Sequence, residues 1–134
     1  MTEPLKKTLE AGLAKAQRNL KEAEDNLAMG HIDNSVSCAY YAAFTAARVA
    51  LLAEGFEPKT HEGVRGQFSL HFIKPGKFKN ELSRSLRDLK EARETGDYDF
   101  FSGISKEEAT EHLQDAREFV QAVEAFLLPR FKQP

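Results

Sequence analysis

The 134-residue sequence holds one cysteine, Cys38, and no tryptophan. A single thiol excludes a disulfide framework and every cysteine-based zinc module. It is compatible with a reducing compartment. No apolar run approaches the ~20 residues that cross a bilayer, and the N-terminal MTEPLKKTLEAGLAKAQ lacks the continuous apolar stretch of a signal peptide. The expectation is a cytoplasmic chain with no membrane contact. β-Branched residues are scarce: Val, Ile and Thr together number 14, against 17 Ala and 14 Leu. That balance favours helix over strand. Phosphate-cradling glycine motifs, GxGxxG or Walker type, are missing. So is HExxH, and the four histidines (His31, His61, His71, His112) are scattered. No metal and no cofactor are therefore expected.

Prolines are few and placed at the edges. Pro4, Pro58, Pro75, Pro129 and Pro134 leave residues 5–57 and 76–128 free of the strongest helix breaker. A first helix is predicted from about Pro4 to about Met29, with Thr2 as cap and Gly30 as stop. Its apolar face is Leu5, Leu9, Leu13, Ala16, Leu20, Ala23 and Leu27. A second helix is predicted to start near Asp33 or Asn34, both good caps, and to be ended by Gly55 and Pro58. It is apolar nearly all round, so it is expected to be the central one.

Residues 59–76 suit a short helix capped by Thr60, and Pro75-Gly76 reads as a turn. A further helix is predicted over 77–95, ended by Gly96. The aromatic stretch 97–104 reads as a loop. Ser105 and Glu108 form a capping box for the last helix, which Pro129 is expected to close. The fold class is thus all-α: an up-and-down four-helix bundle with an additional short helix, in a single domain over 1–134.

The formal charge of −2 hides an asymmetry. Residues 59–93 hold nine Lys/Arg against four Asp/Glu, and residues 94–134 hold four against nine. The basic segment is either a solvated face paired with its acidic neighbour or a surface for nucleic acid or nucleotide phosphate. Within it, Arg65 and His71 are six residues apart. For RNA cleavage, the imidazole would move a proton and the guanidinium would hold the phosphate. Six residues along a regular helix do not share a face, so that pair needs a kink or a second chain. His61 either serves as acid or base or fills a polar first-turn position behind Thr60. Tyr40 and Tyr41 point about 100° apart on the second helix, so one ring fits the core and the other a groove. Arg93, Asp97 and Tyr98 form either a helix-end ion pair with a plugging aromatic or a polar patch at a ligand groove. Cys38 reads as a small buried residue.

Taken together these residues resemble the small prokaryotic HEPN-domain family. The resemblance rests on SVSCAYYAAFTAARVALL at 35–52, PKTHEGV at 58–64, Arg93-x3-Asp97-Tyr98, and Ser105-x-Glu107-Glu108-Ala109. It covers about residues 5–128. It implies a helical bundle that forms a homodimer, and a toxin role beside a nucleotidyltransferase-type antitoxin. It also implies metal-independent RNA cleavage with Arg65 on phosphate and His71 or His61 as acid/base. Family members often carry Arg and His on helix two where this chain has Cys38 and Thr45. Neither residue replaces a guanidinium or an imidazole. The alternative is a non-catalytic nucleotide- or protein-binding module whose surface is shaped by Tyr40, Tyr41, Arg93, Asp97 and Tyr98.

Overall fold

The computed structural model describes residues 1–132. The described residues form five α-helices: α1 Glu3–Ala28, α2 Ile32–Ala53, α3 His61–Phe68, α4 Asn80–Tyr98 and α5 Lys106–Phe131. A π-helical turn, Ser69–Ile73, prolongs α3. There is no strand among the described residues.

Helix α2 is the axle. It packs against α1, α3, α4 and α5, whereas α1 and α4 do not meet. Its small residues make that possible. Ala39, Ala42, Ala43, Ala46, Ala47 and Ala50 are all fully buried, so neighbours approach on several sides. Leu9, Leu13 and Leu20 of α1, Leu82, Leu86 and Leu89 of α4, and Leu113, Phe119 and Leu127 of α5 close over it. Each such side chain removed from water contributes about 1.5–3 kcal/mol before entropy is charged against it. Against the expectation that no apolar run approaches a membrane-spanning length, α2 is long and apolar enough to cross one by length and composition. With 67% of its most apolar window buried, it is occupied as a core helix.

Several helix ends match the sequence expectation. The Thr2 side chain accepts from Leu5 N–H, Thr60 from Gly63 N–H, and Ser105 forms a reciprocal capping box with Glu108. Gly30, Gly55 and Gly76 take positive φ, as stops and turns require.

Three ends differ. Helix α2 begins at Ile32, and Asp33 lies in its first turn. The Asp33 carboxylate is not a cap; it accepts from the Ser102 hydroxyl at 2.9 Å. Gly96 does not end α4, which runs on to Tyr98. A Cβ at Gly96 would lie 3.2 Å from Asp33 Oδ1, so the missing side chain admits the α2 start rather than a turn. Pro129 does not close α5, which continues to Phe131. Arg130 pairs with Glu54 at 2.8 Å and Phe131 packs on the core, and these tethers hold the last turn across the proline. Pro134 lies outside the described residues.

Candidate functional site

Tyr40 and Phe44 lie one turn apart on α2, and Arg48 one turn further. This stripe meets the start of α3. The His61 ring stacks on Phe44 with centroids 4.1 Å apart, and the Tyr40 hydroxyl meets His61 Nδ1 at 2.8 Å. Tyr40 is fully buried. Burial pushes its phenol up to about 12, so it stays protonated. Burial also lowers the His61 pKa, and Arg93, Arg48 and Arg65 lower it further. His61 is therefore a neutral imidazole at neutral pH, with Nδ1 engaged by a phenol and Nε2 as its other polar atom.

Beside it stands a second group of residues. Arg93 donates from Nη2 to the Tyr41 hydroxyl at 3.0 Å. Its Nε lies 2.9 Å from Asp97 Oδ2. That contact is an ion pair and not an aligned hydrogen bond, because Nε finds no acceptor of good geometry. The guanidinium also sits 5.3 Å from the Tyr41 ring centroid and 5.7 Å from that of Tyr98. Tyr98 does not plug the bundle end. It is 71% exposed and continues into the fully exposed Phe100 and Phe101.

Arg65 follows His61 by one helical turn, on the same face of α3. Its Nε is buried without a partner. The side chain lines a shallow cleft with Ser69, Ser83, Arg84 and Arg87. His71 lies in the π turn and stacks on Phe56, centroids 3.9 Å apart. The fold thus gathers Tyr40, Tyr41, His61, Arg65, Arg93, Asp97 and Tyr98 around one end of α3. His71 is placed against the loop that follows α2.

Two neighbours were not singled out from sequence, Phe44 and Arg48. The 40–44–48 helical spacing is the signal that carries them. Cys38 is half-buried, with its sulfur 3.9 Å from Glu22 Oε2. Burial, then Glu22, pushes its thiol pKa up, which suits a packing role. Among the described residues no group of three or more His, Cys, Asp or Glu is arranged to hold a metal.

Comparison with known proteins adds an independent line. The family model described as HEPN domain matches residues 9–126. A protein of Methanocaldococcus jannaschii, named "Putative toxin MJ0142", is 31% identical over 93% of this chain and 85% of its own. A UPF0332 protein of Thermotoga maritima is 30% identical, covering 90% of this chain and 92% of its own. One from Archaeoglobus fulgidus is 34% identical over 84% and 90%.

Proposed function

The chain belongs to the HEPN domain family, and on that premise we propose that it is the toxin-like member of a two-protein pair, a cytoplasmic homodimer that cleaves RNA without a metal and is restrained by a nucleotidyltransferase-type antitoxin. The observation that carries this reading is the placement of Arg65 one turn from His61, with His61 neutral and hydrogen-bonded to a buried phenol. The toxin role is supported by relatives that carry that name.

In this mechanism Arg65 holds the scissile phosphate and offsets charge as the pentacoordinate state forms. His61 Nδ1–H donates to the Tyr40 oxygen in the active tautomer, which leaves the Nε2 lone pair free. Nε2 takes the proton of the 2′-hydroxyl. The 2′-oxygen attacks phosphorus, the bond to the 5′-oxygen breaks, and a cyclic phosphate and a 5′-hydroxyl result. The leaving oxygen takes its proton from His71 of a second copy across a dimer groove. A lowered imidazole pKa keeps the base unprotonated at neutral pH.

The test is cleavage of a mixed RNA pool in EDTA by the purified protein, with Arg65→Ala, His61→Ala and His71→Ala beside it. Loss of the imidazole base is expected to slow cutting by about 10²–10⁴-fold. Equal cutting by His61→Ala and the parent removes His61 from the mechanism, and equal cutting by Arg65→Ala removes the phosphate clamp.

A further inference from the structure

Helix α4 carries one exposed stripe along its whole length: Glu81, Arg84, Arg87, Glu91, Glu94 and Tyr98, spaced three or four residues apart. The stripe is polarised. Residues 80–90 hold Arg84, Arg87 and Lys90 against Glu81 and Asp88, whereas residues 91–99 hold Arg93 against Glu91, Glu94, Asp97 and Asp99. At the acidic end the chain leaves α4 through Tyr98, Phe100 and Phe101, which are 71%, 98% and 89% exposed. Large apolar side chains left open in a cluster mark an interaction surface. Two hydrogen bonds hold the loop that carries them. Phe101 N–H donates to Asp99 Oδ1 at 2.9 Å, and the Ser102 hydroxyl donates to Asp33 of α2 at 2.9 Å. At the basic end lies the cleft between α3 and α4, about 310 Å³ in volume. Arg65, Arg84 and Arg87 line it against one carboxylate, Glu62, and the buried Phe68 and Leu86 give it an apolar wall.

Acidic groups beside the rings disfavour RNA as their occupant, because Glu94, Asp97 and Asp99 repel phosphate. A basic surface with an apolar wall suits them, and this chain presents one at the other end of the same stripe. Two copies of α4 laid antiparallel about a two-fold axis bring each end onto its opposite. That is the self-complementary arrangement a closed dimer requires. A register that sets Arg87 against Glu94 of the second copy also sets Lys90 by Glu91 and Arg84 by Asp97, twice over. It places Tyr98 opposite Ser83, which lines the arginine cleft, with Phe100 and Phe101 beyond it. Guanidinium groups there can lie against the ring faces. Within one copy, Arg84, Arg87 and Glu94 pair only with their near neighbours Glu81, Asp88 and Lys90. Such exposed pairs contribute little and exchange readily. Six rings from two copies, each able to bury about 150–250 Å², supply on the order of the 1,000 Å² that a specific interface needs.

We propose that a second copy of this chain covers the stripe, α4 antiparallel to α4, with the Tyr98–Phe101 loop of each copy seated on the Arg65–Arg84–Arg87 cleft of the other. The inference rests on the homodimer of the functional reading and assigns the face that forms it. Each copy lends the other an aromatic wall beside Arg65, so the groove that receives RNA is built from both chains.

Sedimentation velocity of the purified protein over a dilution series tests this, with helical circular dichroism of each variant as the check on folding. The parent is expected to sediment as a dimer that weakens with added salt. Arg87→Glu and Glu94→Arg each bring like charges together and are expected to weaken the dimer at least tenfold. Arg87→Glu/Glu94→Arg exchanges the two charges within one chain and is expected to recover most of that loss, a rescue that misfolding cannot imitate. Phe100→Ser/Phe101→Ser is also expected to weaken the dimer at least tenfold. Both rings are exposed, so the fold is expected to survive. A dimer that none of these variants weakens overturns the proposal, moves the interface to another face and leaves the homodimer standing. Weakening by both single charge variants with no recovery in the exchanged one overturns the antiparallel pairing. A parent that is monomeric at every concentration removes the homodimer of the functional reading as well.

Discussion

The buried phenol of Tyr40 holds the exposed imidazole of His61 by a 2.8 Å hydrogen bond to Nδ1. The bond joins the middle of the central helix to the first residue of α3, so one contact fixes both a packing angle and a proton-transfer group. Removing the hydroxyl by Tyr40→Phe keeps the ring in the core and deletes that bond. A loss of about 1 kcal/mol is expected, read as a lower urea midpoint with unchanged slope. His61 Nδ1–H donates to that oxygen, a bond the protonated ring also makes, so its loss is expected to lower the His61 pKa further. Imidazole NMR titration of the two proteins checks this. An identical titration in both would mean that the bond is not formed in solution.

The His61 environment also sets a pH dependence. Its folded pKa lies below the ordinary value of about 6.5. The unfolded chain therefore binds the proton more readily than the folded one. Stability is complete above about pH 6.5 and falls as the pH drops through the lowered folded value. His61→Gln removes that proton uptake. The variant is expected to lose less stability than the parent between pH 7.5 and 5, measured by urea midpoints at each pH.

Much of this frame is legible from residue types alone, because caps and faces are local. Thr2, Thr60 and Ser105 cap helices as their side chains dictate, and the alanine-rich stretch of α2 is central because small residues permit contact on all sides. What escaped the sequence depends on distant partners. Asp33 looks like a cap until Ser102, 69 residues away, claims its carboxylate. Gly96 looks like a stop until Asp33 fills the space beside it. The candidate site divides the same way. The Arg65–His61 spacing is one turn, a signal that pairing Arg65 with His71 across six residues passes over. The Arg93 bond to Tyr41 spans 52 residues and exists only once α4 lies on α2. The π turn at Ser69–Ile73 has no residue-type signature, and it governs where His71 points.

At Gly12 α1 lies close against Val49 of α2. A Cβ built there overlaps Val49 Cγ2. Alanine ordinarily favours a helix interior over glycine by about 1 kcal/mol. Here that gain is opposed by an overpacking cost of about 1–3 kcal/mol. Gly12→Ala is therefore expected to lower the melting temperature. Val49→Ala frees the same volume, so Gly12→Ala/Val49→Ala should be more stable than the sum of the single changes implies. Strict additivity in denaturant unfolding would show that the two positions do not touch.

Arg93 tests whether the second group of residues is held by charge alone or by shape. A lysine in its place keeps a positive charge and can still approach Asp97. It cannot donate to Tyr41 while pairing with Asp97 and lying flat against aromatic rings, because that needs a planar fork. Arg93 and Asp97 side chains are only 19% and 28% exposed, so water does not readily substitute for the lost contacts. Arg93→Lys is expected to cost about 1–2 kcal/mol. In the Arg93→Lys/Tyr41→Phe pair the second change should cost less than it does alone, since the bond it removes is already broken. Thermal unfolding of the four proteins in the cycle decides it. If the losses simply add, Tyr41 and Arg93 act independently, and the site is organised by the Asp97 ion pair alone.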